Sequence, residues 1–219
     1  MKYNNIEKAI FISRPNRFIA RVSIGGNELI VHVKNTGRCR ELLIPGCEVY
    51  LEKASNPDRK TPYDLVAVKK DDHIINIDSQ APNAVVKEYL LGQNEFDVVR
   101  PEYKYGNSRI DFYMEKDNKK YLMEVKGCTL FVDGCGYFPD APTKRGSKHL
   151  EELIGAVQEG YRARIAFVIQ GEGISEVKPN VKTDPEFANA FYGAVDAGVE
   201  VIFYLCKVDR DELKIIDKL

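Results

Sequence analysis

Two stretches of this sequence carry acids where neighbouring strands would present them together. Along 108–114, alternation puts Arg109, Asp111 and Tyr113 on one face and Ile110, Phe112 and Met114 on the other. Along 121–126, Glu124 and Lys126 share a face opposite Tyr121, Met123 and Val125. The polar run Lys116-Asp117-Asn118-Lys119 reads as the turn between them, so Asp111 meets Glu124 side by side with Lys126 one step along. Adjacent carboxylates repel unless positive charge lies between them. Mg2+ or Mn2+ meets that need, because both favour hard oxygen ligands and keep waters for a phosphate substrate. The chemistry would be metal-assisted phosphodiester hydrolysis. Asp111, Glu124 and the Val125 carbonyl would be ligands, and Lys126 would position water or stabilise charge on the transferring phosphate. The same residues also suit a cross-strand ladder of salt bridges with no metal, and taken alone they leave both readings open.

Acid-x-Lys triplets recur at Asp58-Arg59-Lys60, Asp117-Asn118-Lys119, Glu176-Val177-Lys178 and Glu212-Leu213-Lys214. The first two read as polar turns, the third as a Gly/Pro loop and the fourth as the end of the chain, so none competes with Glu124. The segment after Lys126 adds weight. Thr143 caps a helix whose Leu150, Leu153, Ile154 and Val157 follow the i, i+3, i+4, i+7 spacing. Arg145, His149 and Glu152 form a second stripe, roughly 120° away by the helical period. A helix N-terminus carrying Thr143, Arg145 and His149 suits phosphate. His149 then reads as a phosphate contact or proton relay, against the plainer reading of a partly buried polar residue. Glu88, on the preceding helix, could give the metal a third carboxylate or stand solvated. Tyr103, Tyr105 and Tyr113 could stack on bases or pack in the core.

The elements that must position these residues fall into two regions. Residues 1–82 read as β: runs at 18–24 and 28–34 flank Gly25-Gly26-Asn27, a hairpin signal, with further strands at 48–53, 65–69 and 74–77. Four or five short strands in that length predict a small closed barrel, OB-like by analogy. A boundary near Gln80-Ala81-Pro82 is expected. Residues 83–219 then alternate helix and strand, with Asn83 capping a helix over 84–91 that stops at Gly92. A continuous apolar run at 165–169 follows, then a helix opened by Asp184-Pro185 and closed by Gly198, and a strand at 199–205. This predicts a central sheet with helices on its faces.

Composition narrows the setting. The chain has 219 residues, 44% of them hydrophobic and 30% charged, with no apolar run near the ~20 residues of a membrane helix. The patch at 9–12 is too short for a signal peptide. Five cysteines without a CxxC predict reduced thiols and a cytoplasmic setting rather than a disulfide frame. Net charge is −1, which argues against coating nucleic acid through bulk charge. Locally, 11–40 holds Arg14, Arg17, Arg21, Lys34, Arg38 and Arg40 against Glu28 alone, a stripe able to attract phosphates or simply a solvated face. Gly171-Glu172-Gly173 is no dinucleotide loop, and Cys128, Cys135 and His149 lack zinc spacing and a fourth ligand.

Longer strings resemble a known family. These are Glu102-x-x-x-Gly106-x-Ser108-Arg109-Ile110-Asp111-Phe112, then Glu124-Val125-Lys126, then Phe138-Pro139-Asp140-Ala141-x-Thr143-x-Arg145-Gly146-x-Lys148-His149-Leu150. With Arg14-Pro15-Asn16-Arg17-Phe18 and His32-Val33-x-Asn35-Thr36-Gly37-Arg38, they resemble the sugar fermentation stimulation protein A (SfsA) family almost end to end. The resemblance implies an N-terminal OB-like β-barrel and a C-terminal PD-(D/E)XK nuclease-like α/β domain, a mixed sheet flanked by helices. It also implies DNA binding in a prokaryotic cytoplasm and a link to sugar-utilisation genes. It puts the strand aspartate on Asp111, the acid-x-Lys on Glu124 and Lys126, and a helix acid on Glu88; Ile110 stands where the motif's proline would be. Two functions are therefore expected. One is a Mg2+- or Mn2+-dependent deoxyribonuclease in which Arg109, Arg145 and His149 hold phosphates and Arg14, Asn16, Arg17, Asn35 and Arg38 grip the DNA backbone. The other is a DNA-binding regulator without turnover.

Overall fold

Residues 1–35, 37–106 and 108–219 are described by the computed structural model of this chain; Thr36, part of the string at 32–38, lies outside the described residues. The first sheet is built around β1 (Ile6–Asn16), where buried Ala9 and Phe11 alternate with exposed Lys8 and Ile10. Sequence reading saw only a short apolar patch there, because no turn signal precedes it and Pro15 falls near its end. Register shifts beyond Phe11 and Ser13 let the strand bend at that proline end. β1 lies between β2 (Ile19–Ile24) and β4 (Glu48–Lys53), antiparallel to both. β2 pairs with β3 (Asn27–Val33) across the expected Gly25-Gly26 hairpin. β3 then runs parallel to β5 (Tyr63–Lys70) at His32↔Asp64 and Val33↔Leu65, and β5 pairs with β4. The ring order 1-2-3-5-4-1 is a closed OB-like barrel, filled by Val22, Val31, Val49, Leu51, Leu65 and Val68. β6 (His73–Asn76) adds to β5.

The second region opens with α1 (Ala81–Gln93), whose cap is Gln80 and not Asn83. Pro82 in the first turn sets the start, Asn83 lies inside that turn, and the helix runs past Gly92 to a left-handed Asn94. β7 (Val98–Tyr105), β8 (Ser108–Lys116) and β9 (Lys119–Cys128) form an antiparallel meander. β7 escaped notice because Pro101 breaks its pattern, and it is an edge strand, where a proline is tolerated. A small sheet follows, made of β10 (Leu130–Val132), β11 (Cys135–Phe138) and, later, β13 (Val177–Pro179). α2 (Lys144–Gln158) leads into β12 (Arg162–Ile169), and α3 (Pro185–Asp196) into β14 (Glu200–Val208) and β15 (Leu213–Lys218). The Glu176 and Glu212 triplets thus border or enter strands, against expectation. The main sheet has the order β15-β14-β12-β9-β8-β7, with β9, β12 and β14 parallel. α1 covers one face through Val85, Val86 and Leu90. α2 and α3 cover the other through Leu150, Leu153, Phe187 and Phe191. This is the expected mixed sheet flanked by helices. Among the described residues no helix is long and apolar enough to cross a membrane.

The barrel is joined to this sheet by a buried polar network. Gln170, at the end of β12, donates from Nε2 to Asn76 Oδ1 at 2.8 Å and to the Asp78 carbonyl at 3.1 Å. Asn76 donates back from its amide to the Gln170 carbonyl, and from Nδ2 to the Tyr3 hydroxyl. Gly127 admits Gln170: a Cβ there would stand 2.2 Å from Gln170 Oε1 and 2.7 Å from Pro82 Cγ. Gln170→Ala strips two buried acceptors of their donor and should lower unfolding free energy by about 2–4 kcal/mol. A urea titration checks this, and an unchanged midpoint would show that the network does not hold the two regions together.

Candidate active site

The β8–β9 ladder runs from Lys116↔Lys119 to Phe112↔Met123 and stops there. β9 continues along β12 as far as Cys128, so the strands part at Asp111 and Glu124. The simple alternation fails at the same point. Phe112 and Met114 pack under α1, but Ile110 joins Tyr113 under α2 and α3. Opposite Asp111 in the β7 register, Glu102 has φ of 53°, a local twist in the paired strand. In β9 the expected faces hold: Tyr121, Met123 and Val125 point to α1, while Glu124 and Lys126 point the other way.

Asp111 bridges the parted strands. Its Oδ2 accepts from the Val125 amide at 2.8 Å and its Oδ1 from Asn83 Nδ2 at 2.7 Å. Burial pushes its carboxyl above the usual range, and the charge of Glu124 pushes the same way. Glu124 is buried, with its side chain 3% exposed. Burial opposes its charge, but bonds from His149 and Lys126 outweigh that and hold its carboxyl below the usual range. Lys126 Nζ donates to Glu124 Oε1 at 2.6 Å, and His149 Nδ1 meets the same oxygen. Glu124 Oε2 is buried with no hydrogen-bond partner.

The helical stripe Arg145–His149–Glu152 lies against this site, and of its three members Arg145 alone is exposed. Thr143 caps α2 as expected, its Oγ1 accepting from the Gly146 amide at 3.0 Å and keeping its own O–H to donate. His149 is buried, one ring nitrogen on Glu124 and the other 3.2 Å from Arg145 Nε. A ring so enclosed cannot hold substrate phosphate. Glu152 accepts from Ser108 Oγ on β8. Arg145 and Arg109 are exposed. Glu88 stays out of the site: it is 65% exposed and its Oε2 pairs with the Met1 ammonium at 2.8 Å. From Asn83, five residues add about 7.5 Å along the helix and turn the side chain away. Asn83 is the α1 residue that reaches Asp111, and only its place in the first turn after Pro82 hinted at it. Tyr103 stacks on Tyr113 at 4.5 Å, and Tyr105 packs edge-on to Tyr161, so these tyrosines serve the core.

A metal can be fitted to this donor set only sparingly. Among the described residues no three His, Cys, Asp or Glu side chains gather as a metal cluster. Two carboxylates, the Val125 carbonyl and waters remain, an all-oxygen set of the kind Mg2+ accepts. The unpartnered Glu124 Oε2 is the atom such a cation would satisfy.

Residues 80–212 match the family described as the sugar fermentation stimulation protein RE domain, and residues 12–77 match the SfsA N-terminal OB domain. The chain belongs to the SfsA family. A sugar fermentation stimulation protein homolog of Clostridium beijerinckii is 51% identical over 99% of this chain and 97% of its own length. One from Desulfitobacterium hafniense is 49% identical over 98% and 95%. The structure of Pyrococcus furiosus SfsA in complex with Ca2+ is similar throughout, with a TM-score of 0.87, 28% identity and 100% and 96% coverage.

In this SfsA chain the barrel's expected DNA contacts divide into two kinds. Arg14 donates to the carbonyls of Arg17, Asn35, Gly37 and Arg38 at 2.6–2.8 Å, so it clamps the loop after β3. Asn35 is tied to the Ile77 carbonyl and the Gly37 amide. Asn16 Oδ1 accepts from the amides of Phe18 and Ile19 and shapes the β1–β2 tip. Arg17 and Arg38 are exposed and, with Arg40, line a cavity of about 240 Å³. Sequence reading passed over Phe18, 46% exposed at that tip with the Arg17 guanidinium 4.9 Å above its ring. Arg14→Lys keeps the charge but cannot span four carbonyls, and should cost about 2 kcal/mol or more. Thermal unfolding reads this out; an unshifted midpoint would mean the clamp carries no stability.

Proposed function

We propose that this protein is a divalent-metal-dependent phosphodiesterase acting on DNA, with Asp111 and Glu124 holding Mg2+ or Mn2+. The observation that carries this reading is Glu124 Oε2, a buried carboxylate oxygen without a partner at the mouth of parted strands, one residue from the amide that holds Asp111. That the related Pyrococcus furiosus protein was solved with Ca2+, an oxygen-seeking cation, supports it. When bound, the cation would neutralise charge on the phosphate and polarise water. Lys126, held by Glu124, offers its ammonium protons to the attacking water or to the developing phosphate charge. Exposed Arg109 and Arg145 flank the site as phosphate contacts. Arg17 and Arg38 hold the DNA backbone on the barrel.

The cavity ringed by Arg17, Arg38 and Arg40 favours a second reading, a DNA-binding regulator in which turnover plays no part. One experiment separates them. End-labelled single- and double-stranded DNA is incubated with the protein and Mg2+, Mn2+ or EDTA, beside Lys126→Ala. Cleavage that needs metal and falls about 100-fold or more in Lys126→Ala, with binding retained, is expected of the nuclease. Retention of DNA without cleavage would leave the regulator. In either case Arg17→Ala and Arg38→Ala should each weaken binding and reduce the salt slope by about 1. Normal binding by both variants would remove the barrel from the interface.

A further inference from the structure

We infer that His149 is a positioning residue that fixes which oxygen of Glu124 is presented to the metal. The inference rests on the metal-site reading of Asp111 and Glu124. It starts from the direction of two hydrogen bonds. Arg145 Nε carries a hydrogen and can only donate, so His149 Nε2, 3.2 Å away, must accept. An imidazole that accepts at Nε2 carries its ring proton on Nδ1. That proton faces Glu124 Oε1, so the chain of donation runs from Arg145 through His149 to Glu124.

This direction has a geometric consequence. Oε1 receives both His149 Nδ1–H and Lys126 Nζ, while Oε2, equally buried, receives nothing. The carboxylate cannot rotate without breaking both bonds, so Oε2 is the atom left for a ligand. α2 is itself held in place. Its Thr143 cap accepts from Gly146, and the Thr143 amide donates to Asp184, the cap of α3. Arg145 and His149 stand one turn apart on this anchored segment, so the helix delivers the ring to Glu124 in one orientation. A purely space-filling histidine would not need its two nitrogens assigned in this way.

Calorimetric titration with Ca2+, which probes the site without turnover, tests the inference on wild type, His149→Ala and His149→Asn. Asparagine places a side-chain N–H close to where Nδ1–H stands. His149→Ala should bind Ca2+ at least about 10-fold more weakly, and His149→Asn should recover most of that loss. Equal affinity in wild type and His149→Ala would overturn the inference and leave the metal site standing. Wild type that binds neither Ca2+ nor Mn2+ would overturn the metal reading and this inference with it. Should the alanine variant fail to fold, nitrogen-15 NMR of the wild-type imidazole decides. Protonation at Nδ1 is expected; a ring protonated at Nε2 would reverse the donation and overturn the inference.

Discussion

The parting of β8 from β9 at Asp111 is the constraint from which the rest of the site follows. Where two strands separate inside a protein, the backbone groups along the gap lose their partners, and each buried one left unmet costs about 1–3 kcal/mol. The Val125 amide faces that gap, and the Asp111 carboxylate meets it. One side chain therefore completes the backbone and brings its own charge beside Glu124. A ladder continued through Glu124 would have closed the space in which the two carboxylates stand. The left-handed Glu102 on β7 and the change of face between Ile110 and Phe112 are the marks of the same parting.

Holding a carboxylate as deep as Glu124 demands donors, and the sheet alone supplies only Lys126. The other donor comes from α2, so the placement of that helix is part of the electrostatics. Asp184 accepts from the amides of Thr143 and Phe187, tying the starts of α2 and α3 together. The segment leading into α2 is also pinned to the barrel, because Asp140 Oδ2 accepts from the Arg38 amide at 3.0 Å. Gly37 permits that approach: a Cβ there would lie 2.4 Å from Asp140 Oδ2. The barrel's basic loop is therefore tied to the segment that leads into α2, the helix that carries His149 to Glu124.

The outline of both regions was legible because it rests on patterns that need no tertiary context. Gly25-Gly26 sets a hairpin by backbone freedom, Thr143 and Asp184 cap helices with their own side chains, and 165–169 is apolar because both faces are covered. Asp111, Glu124 and Lys126 were legible for a similar reason, since a two-residue turn fixes which strands are neighbours. Partners chosen across the fold were not legible. Beyond its place in the first turn after Pro82, nothing local marks Asn83, which reaches Asp111, over Glu88, which pairs with the Met1 ammonium. His149 looked free to meet phosphate because the burial that spends its nitrogens depends on β9 lying beneath it.

The barrel shows why a charge count overstates available charge. The stripe at 11–40 holds six basic residues against one acid, yet they do not act alike. Arg14 spends its guanidinium on four carbonyls, Lys34 pairs with Asp78 at 3.0 Å, and Arg21 stands 3.7 Å from Glu28. Arg17, Arg38 and Arg40 remain at the cavity rim. Surface pairs such as Arg21–Glu28 contribute little to stability and weaken in salt, whereas the Arg14 clamp sets the shape of the loop on which Arg38 stands. The arginine bound to backbone carbonyls thus shapes the loop from which Arg38 and Arg40 project. The phosphate-binding surface proposed for this chain of net charge −1 would depend on that division between arginines that build the loop and arginines that the loop displays.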